Sequence, residues 1–93
     1  GIAFGNGWLD NPNPFTDQAS ISVAVDRRQE VRIEVYNTLG QRVAVLFDGV
    51  RPGDDPRPFT FEASRLPNLP SGLYFFRVIG RDFALTRKAV RIR

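Results

Sequence analysis

With neither histidine nor cysteine among its 93 residues, this chain has carboxylates, guanidinium groups and one lysine, Lys88, with which to do chemistry. The usual general base near neutral pH is therefore missing, as are the imidazole and thiolate ligands of most protein metal sites. A Cys nucleophile and a disulfide scaffold are excluded with them. The ten acids are scattered, and no nucleophile–base constellation, carboxylate pair or Gly-rich phosphate loop stands out. The residues thus read as non-enzymatic, with no catalytic residue, no cofactor and no metal site. Asp54-Asp55 invites a cation, but a calcium loop needs alternating acids and a distant bidentate Glu. Ordinary turn chemistry is the competing reading there.

Twelve Arg and Lys88 face the ten acids, leaving a net charge of +3. That excess is small and dispersed, whereas a nucleic-acid binder carries a basic stripe, so no nucleic-acid partner is expected. Apolar residues make up 42%, including eight Phe, which excludes a disordered tail. No apolar run approaches the roughly 20 residues needed to cross a bilayer, and stable membrane insertion is not expected. Nothing has the basic–apolar–small layout of a signal peptide. If the protein is exported, the expectation is that its signal lies on a longer parent chain of which this is one piece. A chain of this size makes one domain with a modest core.

Among the elements, the clearest stretch is Val31 to Leu46. Val31, Ile33 and Val35 alternate with Arg32 and Glu34, the period of a strand with one dry and one wet face. Asn37-Thr38-Leu39-Gly40 is a turn: Asn can bond its own backbone, and Gly accepts positive φ. The valine-rich run from Gln41 to Phe47 completes a hairpin. Before it, Ala19 to Val25 alternates with Ile21, Val23 and Val25 on one face. Asp26 to Glu30 reads as a charged turn.

After the hairpin, Asp48 to Pro56 reads as loop. Pro58 to Glu62 is a strand with Phe59 and Phe61 inward. Ala63 to Gly72 is a Pro-rich connection, and Leu73 to Ile79 is a strand with Tyr74, Phe76 and Val78 on the core face. Phe83 to Ile92 is the last strand. Phe83 and Leu85 share one parity and Val90 and Ile92 the other, which predicts a bulge near Thr86 to Ala89. The predicted core is Phe15, Ile21, Val23, Ile33, Val35, Phe59, Phe61, Tyr74, Phe76, Val78, Val90 and Ile92. Six or seven short strands without helical periodicity predict an all-β, immunoglobulin-like antiparallel sandwich. Residues 1–10 read as a linker or tail, either a flexible lead-in or a docking or processing segment with Trp8 as an anchor. Residues 11–93 read as the sandwich domain.

Three motifs stand in a particular order: Pro12-Asn13-Pro14-Phe15 before the first strand, Val35-Tyr36-Asn37-Thr38-Leu39-Gly40 with Val43 in the hairpin, and Leu69-Pro70-Ser71-Gly72-Leu73-Tyr74-Phe75-Phe76-Arg77-Val78. Thr86-Arg87-Lys88 and Arg93 complete the order. Together they resemble the type A C-terminal sorting domain of the type IX secretion system of Bacteroidetes-like bacteria. The resemblance implies an immunoglobulin-like sandwich that serves as an address at the end of an exported protein. Its partners would be the outer-membrane translocon, a surface peptidase and a covalently linked upstream cargo domain. Its route would be the periplasm, then the cell surface or the medium. Two other readings compete: an immunoglobulin-like module such as that of flagellar hook-capping scaffold proteins, and a carbohydrate-binding accessory module. The latter wants a row of exposed aromatics, for which Trp8, Tyr36 and Phe75 are the candidates.

The recognition residues implied by the resemblance are Pro14, Phe15, Gly72, Tyr74, Lys88, Arg91 and Arg93. Each also has a plainer reading. Pro14-Phe15 makes a stiff lead-in and a core plug, and Tyr74 is a core residue with its hydroxyl bonded to backbone. Lys88 either sits at the bulge with its stem buried and its head in water, or joins Arg87, Arg91 and Arg93 in a basic patch.

Overall fold

The computed structural model describes residues 2–11, 14–53, 55, 58–66 and 68–92, with side chains from Pro14 onward. Period-2 alternation of Val, Ile and Phe builds its strands. In chain order they are β1 (Ile2–Asn11), β2 (Gln18–Val25), β3 (Gln29–Tyr36), β4 (Arg42–Arg51), β5 (Pro58–Glu62), β6 (Gly72–Ile79) and β7 (Ala84–Arg91), with a 3₁₀ turn at Ala63–Arg65. They form two antiparallel sheets, β1-β2-β5 and β4-β3-β6-β7. The inner faces meet in an immunoglobulin-like sandwich. Ala19, Ile21, Val23 and Val25 of β2 pack with Val31, Ile33 and Val35 of β3 and Tyr74, Phe76 and Val78 of β6. Phe61 stands at the centre, edge-on to both Phe15 and Phe76, with ring centroids 6.2 and 5.7 Å away.

The hairpin forms as its residues dictate. Asn37 Oδ1 accepts from the backbone N–H of Leu39 and of Gln41, both at 3.0 Å, and Gly40 takes φ +78°. An L side chain at that φ would be strained.

Six expectations need correction. The segment read as a linker contains β1, whose backbone pairs with β2 from Ile2↔Val25 to Asn11↔Ser20. Its register shifts between Phe4 and Leu9, where Gly5, Asn6 and Gly7 interrupt the apolar sequence. Gln29 and Glu30, read as turn, begin β3. Asp48 to Arg51, read as loop, extend β4 because the early residues of β3 pair with them, Gln29↔Arg51 through Arg32↔Asp48. Glu34, expected on a wet face, is 2% exposed, since long cross-strand neighbours lie over it.

The largest correction concerns β7. Its pairing with β6 runs unbroken from Ile79↔Ala84 to Gly72↔Arg91, with no bulge. Ala89 and Arg91 therefore point inward, while Val90 and Ile92 are 41% and 48% exposed. Val90 instead faces outward opposite Leu73. Arg91 can take an inward position at the strand's end because its guanidinium finds carbonyl partners there. Phe59 is only half-buried, packed on the edge of the core.

Candidate recognition site

The strand order gathers the motifs at one pole of the sandwich. Gly72 opens β6 directly opposite Arg91 at the end of β7. Tyr36, which leads into the hairpin turn, pairs with Phe75 of β6. The inbound segment arrives at the same place: Phe15 N–H donates to the Val90 carbonyl at 2.9 Å, and Ile92 N–H donates to the Phe15 carbonyl at 2.8 Å. This short parallel bridge covers the end of an otherwise bare edge strand.

Two buried polar side chains lock the pole. Tyr74 hydroxyl donates to the Pro70 carbonyl at 2.6 Å. A tyrosine near the start of this strand bonding backwards is the corner device of immunoglobulin-like sandwiches. Arg91 Nε donates to the Thr16 carbonyl at 2.9 Å, and its Nη1 donates to the Leu69 carbonyl at 2.6 Å. One guanidinium thus ties the inbound segment, the Pro-rich corner and the end of β7 together. Gly72 has φ +143° with open space around an added Cβ. Its requirement is backbone freedom, not room.

The structure therefore separates the residues singled out from sequence. Phe15, Tyr74 and Arg91 are buried, and Gly72 shapes the backbone. Pro14 and Lys88 are exposed. Lys88 projects from the outer face of the larger sheet opposite Phe75, on the other face from Arg91, so the two do not form one patch. Arg93 lies outside the described residues. Of the aromatics considered for sugar stacking, Tyr36 and Phe75 are adjacent and half-buried, a pair rather than a row, and the side chain of Trp8 lies outside those described.

On the same outer face, Glu34 is the hub of a network that composition did not reveal. It accepts from Tyr36 hydroxyl at 2.8 Å, from Arg42 Nη1 at 3.0 Å and from Arg32 Nη1 at 3.5 Å. Burial pushes its carboxyl up, but the three donors outweigh that and hold it below its ordinary value. The same bond, with partial burial, raises the Tyr36 phenol above 10.0.

Arg51 is the other functional-looking residue that sequence reasoning missed. It is buried at the end of β4, over the rings of Phe47 and Phe59 at 5.6 and 5.1 Å. Its Nη2 donates to the Asp55 carbonyl at 2.8 Å and lies 3.6 Å from the Asp55 carboxylate. Asp55 thus faces a guanidinium; Asp54, its partner in the calcium reading, lies outside the described residues. The parity of Phe47, Gly49 and Arg51 was a readable signal for this inward arginine.

An immunoglobulin-like β-sandwich module with a locked pole, built from its own motif residues, is the class that fold and site define. The chain belongs to the secretion system C-terminal sorting domain family, whose pattern it matches over residues 11–92. That family serves type IX secretion. No curated protein matches the chain in sequence.

Proposed function

We propose that this chain is the non-catalytic address by which a type IX secretion system carries a larger protein across the outer membrane to the cell surface or beyond. The observation that carries this reading is family membership across residues 11–92. The gathering of the family motifs at one pole supports it, because a surface made of short strands holds its side chains in fixed positions once the core is formed. In this reading the upstream cargo is joined ahead of β1, and the sandwich is the domain read by the outer-membrane translocon. A surface peptidase acts at the junction. Phe15, Gly72, Tyr74 and Arg91 give the pole its shape, and Pro14 and Lys88 present side chains to the partner.

The test is a fusion of residues 1–93 to the end of a periplasmic reporter in a host with a type IX system. Reporter should appear outside the outer membrane, and should stay in the periplasm of the same host lacking its translocon. Equal delivery by both strains, or retention by both, would overturn the proposal.

A further inference from the structure

The outer face of the β4-β3-β6-β7 sheet is divided by charge. Towards the pole of residues 26–28 and 80–83 it mixes Arg32 with Glu30 and Asp48, and Arg32 Nε lies 4.0 Å from the Asp48 carboxylate. Towards the hairpin-turn pole it carries Arg42, Arg77 and Lys88, and register places them around the Tyr36–Phe75 pair. The acid within that half, Glu34, is 2% exposed and already engaged by Tyr36, Arg42 and Arg32. Arg42 keeps half its side chain in solvent while making that bond. The half-face is thus cationic at its surface although an anion lies beneath it.

This half-face also carries a shallow, open depression. A groove of about 490 Å³ runs between the hairpin turn and the β6–β7 surface, with Tyr36, Asn37, Thr38, Phe75, Arg77 and Thr86 in its walls. Aromatic walls offer apolar contact area, and a guanidinium at the rim offers a planar fork that matches a carboxylate. A solvent-exposed arginine has little to gain from a single distant charge, but several cations beside a groove attract an acidic segment and orient it.

We propose that this groove and its cationic rim are the docking site for an acidic, partly apolar segment of a protein partner, displayed by the translocon. Carboxylates of that segment would meet Arg77 and Lys88, and an apolar side chain would lie against Tyr36 and Phe75. The proposal rests on the sorting role and names the chemistry of the partner surface.

The experiment uses the reporter fusion in three forms: intact, Arg77→Glu with Lys88→Glu, and Arg28→Glu with Arg81→Glu. The last makes the same change in net charge at the opposite pole. Melting curves of the purified domains establish that each is folded, and Arg77→Gln with Lys88→Gln substitutes if charge reversal unfolds the face. Delivery should fall at least tenfold for the Arg77–Lys88 variant and stay near the intact level for the Arg28–Arg81 variant. A photo-crosslinking residue at position 75 should join the domain to a translocon subunit through an acidic segment. Equal delivery by both charge variants, equal loss in both, or crosslinks only to lipopolysaccharide, to a second copy or to nothing would overturn the groove. Failure of the intact fusion to leave the periplasm would instead remove the sorting role, and the groove proposal with it.

Discussion

β4 and β7 are the two edge strands of the larger sheet, and each ends on an inward arginine at diagonally opposite corners of the sandwich. The two corners solve the same problem differently. Arg51 lies over two aromatic rings and faces the carboxylate of Asp55. Arg91 is held by two backbone carbonyls from different loops, with no ion pair to it among the described residues. At the β4 corner the buried charge is matched by charge and π-face, so the arginine chiefly fills space. At the β7 corner the guanidinium donates to two main-chain carbonyls of segments it ties together, so removing it takes a donor from each. An edge strand can thus end its dry face on a cation either because packing welcomes it or because the backbone requires it.

The comparison can be broken from the centre outward. Phe76 lies between the corners on β6 and is fully buried. Phe76→Ala should destabilise by about 3–5 kcal/mol, much of a small domain's stability, and denaturant melts should show both corners lost in one transition. Arg91→Met should cost about 2–4 kcal/mol, because a hydrogen bond from a charged group contributes about 1.5–3 and the one to Thr16 is only partly buried. Arg51→Met should cost less, about 1–2 kcal/mol, since a thioether can pack on Phe47 and Phe59 and the partly exposed Asp55 carboxylate that loses its cation still reaches solvent. Equal losses for the two arginine variants in paired urea melts would erase the distinction between the corners.

How far these corners were legible in sequence follows from the same physics. β3 and β6 are central strands, buried on one face along their length, and their alternation announced Val31, Ile33, Val35, Tyr74, Phe76 and Val78. The Asn37–Gly40 turn was readable because its chemistry is local. β7 misleads because Val90 and Ile92 are larger and more apolar than Ala89 and Arg91, so hydrophobicity alone points to the wrong face. The shared parity of Phe83, Leu85, Ala89 and Arg91, with the exposed Arg87 between them, is the better guide. β1 was missed because Gly5, Asn6 and Gly7 interrupt its alternation, and only its pairing with β2 gives it a place. Of the candidate site, Phe15 and Tyr74 were assigned to the core correctly from residue type. Arg91 was grouped with Lys88, because nearness in sequence says nothing of which face a strand residue takes.

The smallest expected effect concerns the Glu34 network, which neither corner touches. Its carboxyl is held below the ordinary 4.5 in the folded protein. A lowered carboxyl contributes stability that is fully present above its unfolded value and is lost as pH falls through the folded one. Glu34→Gln should therefore flatten the fall in stability below pH 4.5, while changing neutral-pH stability less than either arginine substitution. Melting curves of the two proteins above and below that pH would check it, and parallel acid limbs would contradict the assignment.

An address read as a folded surface ties delivery to folding. Reporter delivery can be plotted against the folded fraction for the intact domain, Arg51→Met, Arg91→Met and Phe76→Ala. Delivery should fall in step with folding, with Phe76→Ala lowest, because none of the three substituted residues faces the partner in the proposed docking mode. Delivery of an unfolded Phe76→Ala domain at the intact level would show that a linear stretch of sequence is what the translocon reads.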